Sequence, residues 1–383
     1  MKLNPLHNQV GGHDGVLSMG DDNEIIVKPV LPQELRFYEE SVLHPELQTW
    51  MPAYYGTLTL TRQQPDSQLQ DGQNAMPGLP TIKALNGYAL TDLLSFDQAG
   101  QAQNGSEAAA TAADEASKHV GDENDDECIC LENISRGFSN PCVLDLKLGT
   151  QLYDDDASDE KKARLGAVAA TTTTGKLGLR LTGFHVYDSD KREFIKYSKH
   201  YGKGLNEDNV LDGFRAFFAA KLGSKRMRLV IERFINDLTD FLATIETQEL
   251  RMRSSSLLMM YEGDAEMFDE ALLLEQEKIA SVVARAKATL TESNDNDSRT
   301  TKRQTAEENG EAMDCDDDDE YSDDDDEEDD DELAQKVTDM RLIDFGHSTW
   351  VPGQGPDEGV ILGVKSALTF FERLLDEDYP SEE

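Results

Sequence analysis

Residues 141–149, PCVLDLKLG, decide the fold of the second half of the chain. Apolar residues surround Asp145 and Lys147, and the alternation of period two predicts a strand that carries both charged side chains on one face. A carboxylate and an ammonium group on an otherwise apolar strand contribute nothing to a packed core. We therefore treat Asp145 and Lys147 as candidate site residues.

Polar residues accompany two other predicted strands. Lys28 lies near the end of 24–30, EIIVKPV, which forms a predicted hairpin with 16–19, and Asp344 lies in 340–347, MRLIDFGH. Singly, such a lysine is often solvated and such an aspartate is often a turn residue. Together with Asp145 and Lys147 they supply what phosphoryl transfer needs, namely a cation for nucleotide phosphates, a carboxylate for Mg²⁺ and a group near the acceptor hydroxyl.

The arrangement indicates a kinase outside the protein-kinase class, because the chain has no His-Arg-Asp loop and no Gly-x-Gly-x-x-Gly segment. Residues 141–149 match the Pro-x-x-x-Asp-x-Lys-x-Gly motif of the inositol polyphosphate kinases, and SLL at 256–258 and IDF at 343–345 follow in the family's order. The sequence thus resembles that family. Its fungal multikinase branch is further suggested by GHDG at 12–15, PQEL at 32–35 and WMP at 50–52.

The resemblance implies an α+β, two-lobed kinase-like fold with a short inositol-binding lid and disordered insertions. We expect an N-terminal nucleotide-binding lobe over 1–140, with a flexible insertion near 61–126. A C-terminal catalytic lobe would follow over 141–383. Within it we expect an inositol-binding segment near 157–203 and a disordered acidic insertion near 290–333.

The implied cofactors are ATP and Mg²⁺. Lys28 resembles the family's nucleotide-phosphate lysine, and Glu132 and Ile134 resemble the hinge that meets adenine. Asn133 stands between them where an acidic residue is common in the family. Ser256 is expected either near the nucleotide phosphates or bonded to the backbone, and Asp344 is expected to bind Mg²⁺.

The resemblance also assigns the acceptor side. Asp145 would meet the ribose and the acceptor hydroxyl, Lys147 would touch the transferred phosphate, and His347 would face the inositol phosphate. Between residues 161 and 203 there are ten Lys or Arg but only three acidic residues. Several cations on one short helix suit a ligand with several phosphates, although a solvated helix face is the alternative. The predicted substrate contacts are Lys161, Lys162, Arg164, Lys203 and His347.

The 383-residue chain has a formal net charge of −41, from 77 Asp and Glu against 36 Lys and Arg. Sixteen of the 19 residues in 314–332 are acidic, a composition that cannot form a packed core. Such a charge repels polyanions, so we expect no direct nucleic-acid binding. Four cysteines lack zinc-site spacing and no segment resembles a membrane span, so we expect a reduced, soluble protein of the nucleus and cytoplasm. We also expect a monomer.

Two classes of function stay open. The first is an ATP-dependent multikinase acting on inositol trisphosphate and tetrakisphosphate, with an inositol hexakisphosphate kinase or trisphosphate 3-kinase as the alternative within the family. The second is a non-enzymatic acidic nuclear scaffold that binds basic transcription factors through 314–332. The multikinase resemblance is compatible with both a catalytic and a transcription-regulatory role. Ser322, followed by Asp323, Asp324 and Asp325, is a candidate site for an acid-directed protein kinase.

Overall fold

The computed structural model describes residues 3–6, 15–20, 22–61, 81–86, 125–307 and 335–379. The acidic tract 314–332, with Ser322, lies outside these residues. Most of the insertion predicted near 61–126 also lies outside them.

The N-terminal part forms a six-stranded antiparallel sheet, in the order β1-β2-β3-β6-β4-β5. Its strands are β1 (Leu3–Pro5), β2 (Leu17–Met19), β3 (Ile25–Pro29), β4 (Tyr54–Thr61), β5 (Thr81–Asn86) and β6 (Asp125–Glu132). Two helices, α1 (Pro32–Glu40) and α2 (Pro45–Gln48), connect β3 to β4. The predicted hairpin is confirmed as β2 and β3. Strand β5 lies inside the predicted insertion and pairs with β4, because a short apolar stretch is enough to extend a sheet edge.

The C-terminal part is built on a second antiparallel sheet, in the order β12-β11-β7-β8-β9, and on a separate strand pair. The strands are β7 (Pro141–Leu148), β8 (Leu179–Asp188), β9 (Glu193–Tyr197), β10 (Leu250–Met252), β11 (Ser256–Glu262), β12 (Thr338–Ile343) and β13 (Ser348–Trp350), with β10 paired to β13. The motif strand β7 is central, between β11 and β8. Asp145 and Lys147 therefore sit on the most constrained strand of the sheet.

Helices cover the second sheet. They are α3 (Asp159–Thr171), α4 (Thr173–Leu177), α5 (Lys199–Lys203), α6 (Val210–Phe217), α7 (Ser224–Ile245), α8 (Ala265–Glu307) and α9 (Glu358–Glu377). Phe214, Phe234 and Phe371, from α6, α7 and α9, are fully buried in one large core. Helix α8 continues to Glu307, which differs from the predicted start of the acidic insertion near 290. No helix in the described ranges is long and apolar enough to cross a membrane.

Helix α1 joins the two sheets. The Phe37 ring stacks on Phe345 and Trp350, with centroid distances of 4.6 and 4.9 Å. Gln33 Nε2 also donates a hydrogen bond to the Ser348 carbonyl at 3.2 Å. Aromatic pairs of this kind contribute about 0.5–1.5 kcal/mol each beyond their buried area. The end of β3 is thereby held against the segment that follows β12, and the predicted α+β fold with two sheet-based lobes is confirmed.

Candidate active site

A cleft of about 790 Å³ lies between the two sheets. Its walls are partly apolar, with Val143, Leu258 and Met260 supplied by the second sheet. Seven predicted site residues line it together: Lys28, Glu132, Ile134, Asp145, Lys147, Asp344 and His347. These residues come from distant parts of the sequence, so the fold gathers them into one site.

Lys28 points into the cleft because β3 alternates. Ile25 and Val27 face a small core of the first sheet, and Lys28 faces the other way. Its Nζ contacts Glu34 Oε1 at 2.7 Å and Asp344 Oδ1 at 3.5 Å. Burial by itself lowers the pKa of the Lys28 ammonium group, but the charges of Glu34 and Asp344 outweigh it and raise that pKa. Lys28 is therefore a fixed cation beside a carboxylate.

Asp145 is the most deeply buried charged residue of the cleft, with 3% of its surface exposed. Burial raises the pKa of its carboxyl to about 6, while nearby Lys147 lowers that pKa and Asp344 raises it. Its Oδ1 is buried without a hydrogen-bond partner among the described residues. A carboxylate with a pKa near 6 and an unused acceptor atom suits proton abstraction from a bound hydroxyl near neutral pH.

Two non-glycine residues of the cleft, Ser254 and Asp344, have left-handed backbone conformations. Ser254 has φ +64° and Asp344 has φ +65°. The Ser254 carbonyl accepts a hydrogen bond from Lys147 Nζ, and the Asp344 carbonyl accepts one from Ser255 Oγ at 3.0 Å. Such conformations cost about 1–3 kcal/mol each and cluster at functional sites. Here they orient Lys147 and place the Asp344 carboxylate in the cleft.

The hinge follows β6. The Glu132 N–H donates to the Ala53 carbonyl and the Asn133 N–H to the Glu24 carbonyl, both at 2.9 Å. The Asn133 side chain donates to the Asn23 carbonyl at 2.7 Å, so it has a structural role here. Within the described ranges, the Ile134 N–H makes no hydrogen bond. A free backbone donor between apolar walls is suited to the edge of a purine base.

His347 stands at the other end of the cleft. Its Nδ1 lies 2.8 Å from Asp154 Oδ2, and Lys161 Nζ lies 3.7 Å from the same oxygen. The shared carboxylate brings the first turn of α3 next to His347. This end of the cleft therefore has a basic side chain, His347, and Lys161 is held near it through the shared Asp154 carboxylate.

Five predicted residues do not line the cleft: Ser256, Lys161, Lys162, Arg164 and Lys203. Ser256 is fully buried opposite Lys147 on β11. Lys162 Nζ donates to the Asp155 carbonyl at 2.7 Å. Arg164 and Lys203 are exposed, and the described part of the chain offers neither of them an ion pair. Ser256 shares its face of β11 with Leu258 and Met260, which line the cleft, but it is fully buried between the neighbouring strands and does not reach the cleft surface. Helix α3 directs its basic side chains to the edge of the cleft and not into it.

Sequence reasoning missed three residues of the cleft. Glu34, only 5% exposed, holds Lys28 from the first turn of α1, and Ser254 holds Lys147. Arg253 lines the wall beside them. A glutamate in the first turn of a helix after Pro32 resembles an ordinary helix-start residue. Nothing in the local pattern distinguishes these residues, since their partners lie far away in sequence.

The cleft fits a divalent metal bound together with nucleotide phosphates. The part of the chain that the structure describes has no cluster of three or more His, Cys, Asp or Glu side chains able to hold a metal alone. Mg²⁺ commonly uses only one or two carboxylates, with phosphates and water completing its shell. The Asp344 carboxylate is about 29% exposed and faces the cleft beside Lys28, which suits that arrangement.

The family model described as "Inositol polyphosphate kinase" matches residues 128–372. The inositol polyphosphate multikinase of Schizosaccharomyces pombe is 32% identical over 68% of this chain and 80% of its own length. That of Saccharomyces cerevisiae is 30% identical over 96% of this chain and 97% of its own length. Human inositol hexakisphosphate kinase 3 is 29% identical over 69% of this chain and 77% of its own length.

A solved structure is also similar to this fold. The inositol phosphate multikinase Ipk2 of S. cerevisiae, in complex with ADP and Mn²⁺, superposes with a TM-score of 0.53. The two sequences are 26% identical, and the similarity covers 92% of this chain and 99% of the other. That neighbour pairs a nucleotide with a divalent metal, the combination for which the cleft described here is suited.

Proposed function

The chain belongs to the inositol polyphosphate kinase family, and from that premise we propose that it is a multikinase that phosphorylates hydroxyls of inositol trisphosphate and tetrakisphosphate. The enzyme is a kinase that uses ATP and a divalent metal. One observation carries the proposal most directly: Lys28, Asp145, Lys147 and Asp344 line a single cleft that has His347 at its end. An acidic scaffold has no physical reason to gather these groups.

The nucleotide lies along the hinge in this proposal. The Ile134 N–H meets the adenine edge, and apolar side chains from the second sheet cover the ring faces. Lys28 binds the phosphates, since Glu34 and Asp344 keep its ammonium group charged and in place. Asp344 holds the divalent metal, which supplies charge stabilisation for the transferring phosphoryl group when bound.

Transfer requires one proton to move and one P–O bond to be exchanged. The acceptor hydroxyl gives its proton to Asp145, whose pKa near 6 keeps most of it ionised at pH 7. The hydroxyl oxygen forms a bond to the γ-phosphorus while the bond to the β-phosphate oxygen breaks, which leaves ADP. Lys147, held by the Ser254 carbonyl, balances charge on the phosphoryl group in flight.

The acceptor end is compatible with several inositol phosphates. Helix α3 has only 13 residues. Its Lys161 side chain and His347 both contact the Asp154 carboxylate, which lies between them. Exposed cations at a rim recognise phosphate charge more than the position of a particular hydroxyl. A short rim that recognises charge therefore favours a multikinase over an enzyme with one acceptor.

The similarity to inositol hexakisphosphate kinases makes that activity the second candidate. We test the choice by measuring kcat/KM of the purified protein with inositol trisphosphate and with inositol hexakisphosphate, at the same Mg-ATP concentration. The multikinase proposal expects the trisphosphate to be the better acceptor. A higher kcat/KM with the hexakisphosphate would replace it with the second candidate.

Neutralising Lys161, Lys162 and Arg164 together, each to Gln, tests the rim. We expect the KM for inositol trisphosphate to rise about threefold to tenfold, because partly solvated ion pairs contribute little individually. The salt dependence of that KM should weaken, and the KM for ATP should stay unchanged. An unchanged KM for inositol trisphosphate would mean that the basic residues of α3 form a solvated helix face and do not bind the substrate.

We also propose that the acidic tract 314–332 binds basic proteins and that the enzyme acts in both nucleus and cytoplasm. The support is the composition of the tract, in which 16 of 19 residues are acidic. Deleting 314–332 should leave kcat with inositol trisphosphate unchanged and abolish capture by an immobilised polylysine peptide. Retained capture, or loss of kinase activity in the folded deletion variant, would contradict this role.

Imaging of the tagged full chain tests the localisation, and we expect signal in both the nucleus and the cytoplasm.

A further inference from the structure

Arg253 occupies a position between the catalytic lysine and the acceptor end of the cleft. It follows β10, and its backbone N–H donates to the His347 carbonyl at 3.2 Å. The next residue is Ser254, whose carbonyl accepts from Lys147. Arg253 lines the same cleft as Lys147 and His347. Three basic side chains, Lys147, Arg253 and His347, are therefore tied to one another through the backbone.

The guanidinium group of Arg253 is fixed on one side. Its Nη1 lies 3.0 Å from Asp357 Oδ2, and the Asp357 side chain is itself held by the N–H groups of Met252, Gly359 and Val360. Asp357 is thus both the N-cap of α9 and an anchor for Arg253. Immobilising a flexible arginine before the ligand arrives reduces the entropy lost on binding.

The remaining N–H groups of the Arg253 guanidinium group have no hydrogen-bond partner among the described residues. The Arg253 side chain is 13% exposed, and within the described residues the bond from Nη1 to Asp357 Oδ2 is its one side-chain hydrogen bond or ion pair. A guanidinium group has five N–H donors in a planar fork that matches phosphate oxygens in pairs. The contact with Asp357 at the start of α9 does not by itself explain why Arg253 also lines the cleft, as His347 does.

The positive charge of Arg253 matters because the protein as a whole is strongly negative. The chain carries −41 overall, so a polyanionic acceptor has to be attracted by local cations. Lys161 and His347 already share the Asp154 carboxylate, and Lys28 is paired with Glu34 and Asp344. Arg253 has one carboxylate partner and keeps further donors towards the cleft.

We propose that Arg253 binds a phosphate group of the acceptor inositol phosphate, next to the hydroxyl that is phosphorylated. This role rests on the proposed function, because it takes an inositol phosphate as the acceptor. The bound phosphate lies between Arg253 and His347, and its position fixes which ring hydroxyl reaches Asp145. Arg253 is then a substrate-binding residue, and it touches neither adenine nor ribose.

The test compares wild type with Arg253→Gln, Arg253→Lys and the control Arg373→Gln, which removes an exposed arginine paired with Glu377 on α9. We expect Arg253→Gln to raise the KM for inositol trisphosphate by about 10- to 100-fold, as for loss of a charged hydrogen bond. Arg253→Lys should give a smaller increase, since it keeps the charge and loses the fork. The KM for ATP should change less than twofold in every variant, and the control should match wild type.

Inositol hexakisphosphate is measured as a second acceptor in the same series. A wild-type enzyme that uses only the hexakisphosphate overturns the proposed function, while a KM increase for that acceptor in Arg253→Gln still supports a phosphate contact. If Arg253→Gln unfolds, the folded Arg253→Lys variant decides by the same KM comparison. An unchanged acceptor KM in a folded Arg253 variant would mean that Arg253 only braces α9, and the inference would be overturned.

Discussion

Replacing Asp344 with Asn is expected to reduce turnover by about 1,000-fold or more, because the carboxylate that holds the metal contributes several kcal/mol of transition-state stabilisation. The fold should be kept. The residue has φ +65°, a conformation that Asn adopts as readily as Asp, and its carbonyl bond to Ser255 Oγ does not involve the side chain. Lys28 loses one partner and retains Glu34 at 2.7 Å.

The measurement is kcat with saturating Mg-ATP and inositol trisphosphate, together with the Tm of each protein. Asp376→Asn is the matched control, because it removes the same charge from an exposed position on α9. The control should have wild-type turnover. Near-wild-type turnover in a folded Asp344→Asn protein would show that the metal is held elsewhere.

Lys147→Ala is expected to lower kcat by about 100- to 1,000-fold, the usual cost of losing one group aimed at transition-state charge. Its effect on the KM for ATP should be small, because the Ser254 carbonyl holds the ammonium group at the catalytic end of the cleft. Lys28→Ala should do the opposite, raising the KM for ATP about tenfold with a smaller loss of kcat.

Lys28→Ala should also lower the Tm, since the buried Glu34 carboxylate would lose its close partner. Lys28→Ala combined with Glu34→Gln should recover part of that loss of stability without recovering ATP affinity. Steady-state kinetics and melting curves of the three variants check both expectations. If Lys147→Ala acted on ATP KM and Lys28→Ala on kcat, the two lysines would have to exchange roles.

Much of the fold could be predicted from the sequence where periodicity is strong. The motif strand 141–148 alternates cleanly and is β7 to the residue, and Pro32 marks the first residue of α1. Less was predictable at the edges of the sheets and along α8. Strand β5 is a short apolar stretch within a polar region, and α8 is mostly exposed from Leu273 to Lys287, without a regular apolar face that would predict its length.

The site shows the same division. Lys28, Asp145, Lys147 and Asp344 were predictable because charged residues on apolar strands contradict core packing. Their supports were not. Ser254 is defined by a backbone conformation, and Arg253 by Asp357, which lies 104 residues away. Such contacts depend on β10 pairing with β13, which the local pattern of two three-residue strands does not indicate.

The proposed multikinase activity is tested by transfer of the γ-phosphoryl group from ATP to inositol trisphosphate by the purified full chain, with the inositol products resolved by charge. We expect tetrakisphosphate to appear first and pentakisphosphate later, with one ADP formed for each phosphate transferred. Neither product should form with Asp344→Asn. If the folded wild-type protein at saturating Mg-ATP formed neither tetrakisphosphate nor pentakisphosphate, the proposed multikinase activity would be wrong.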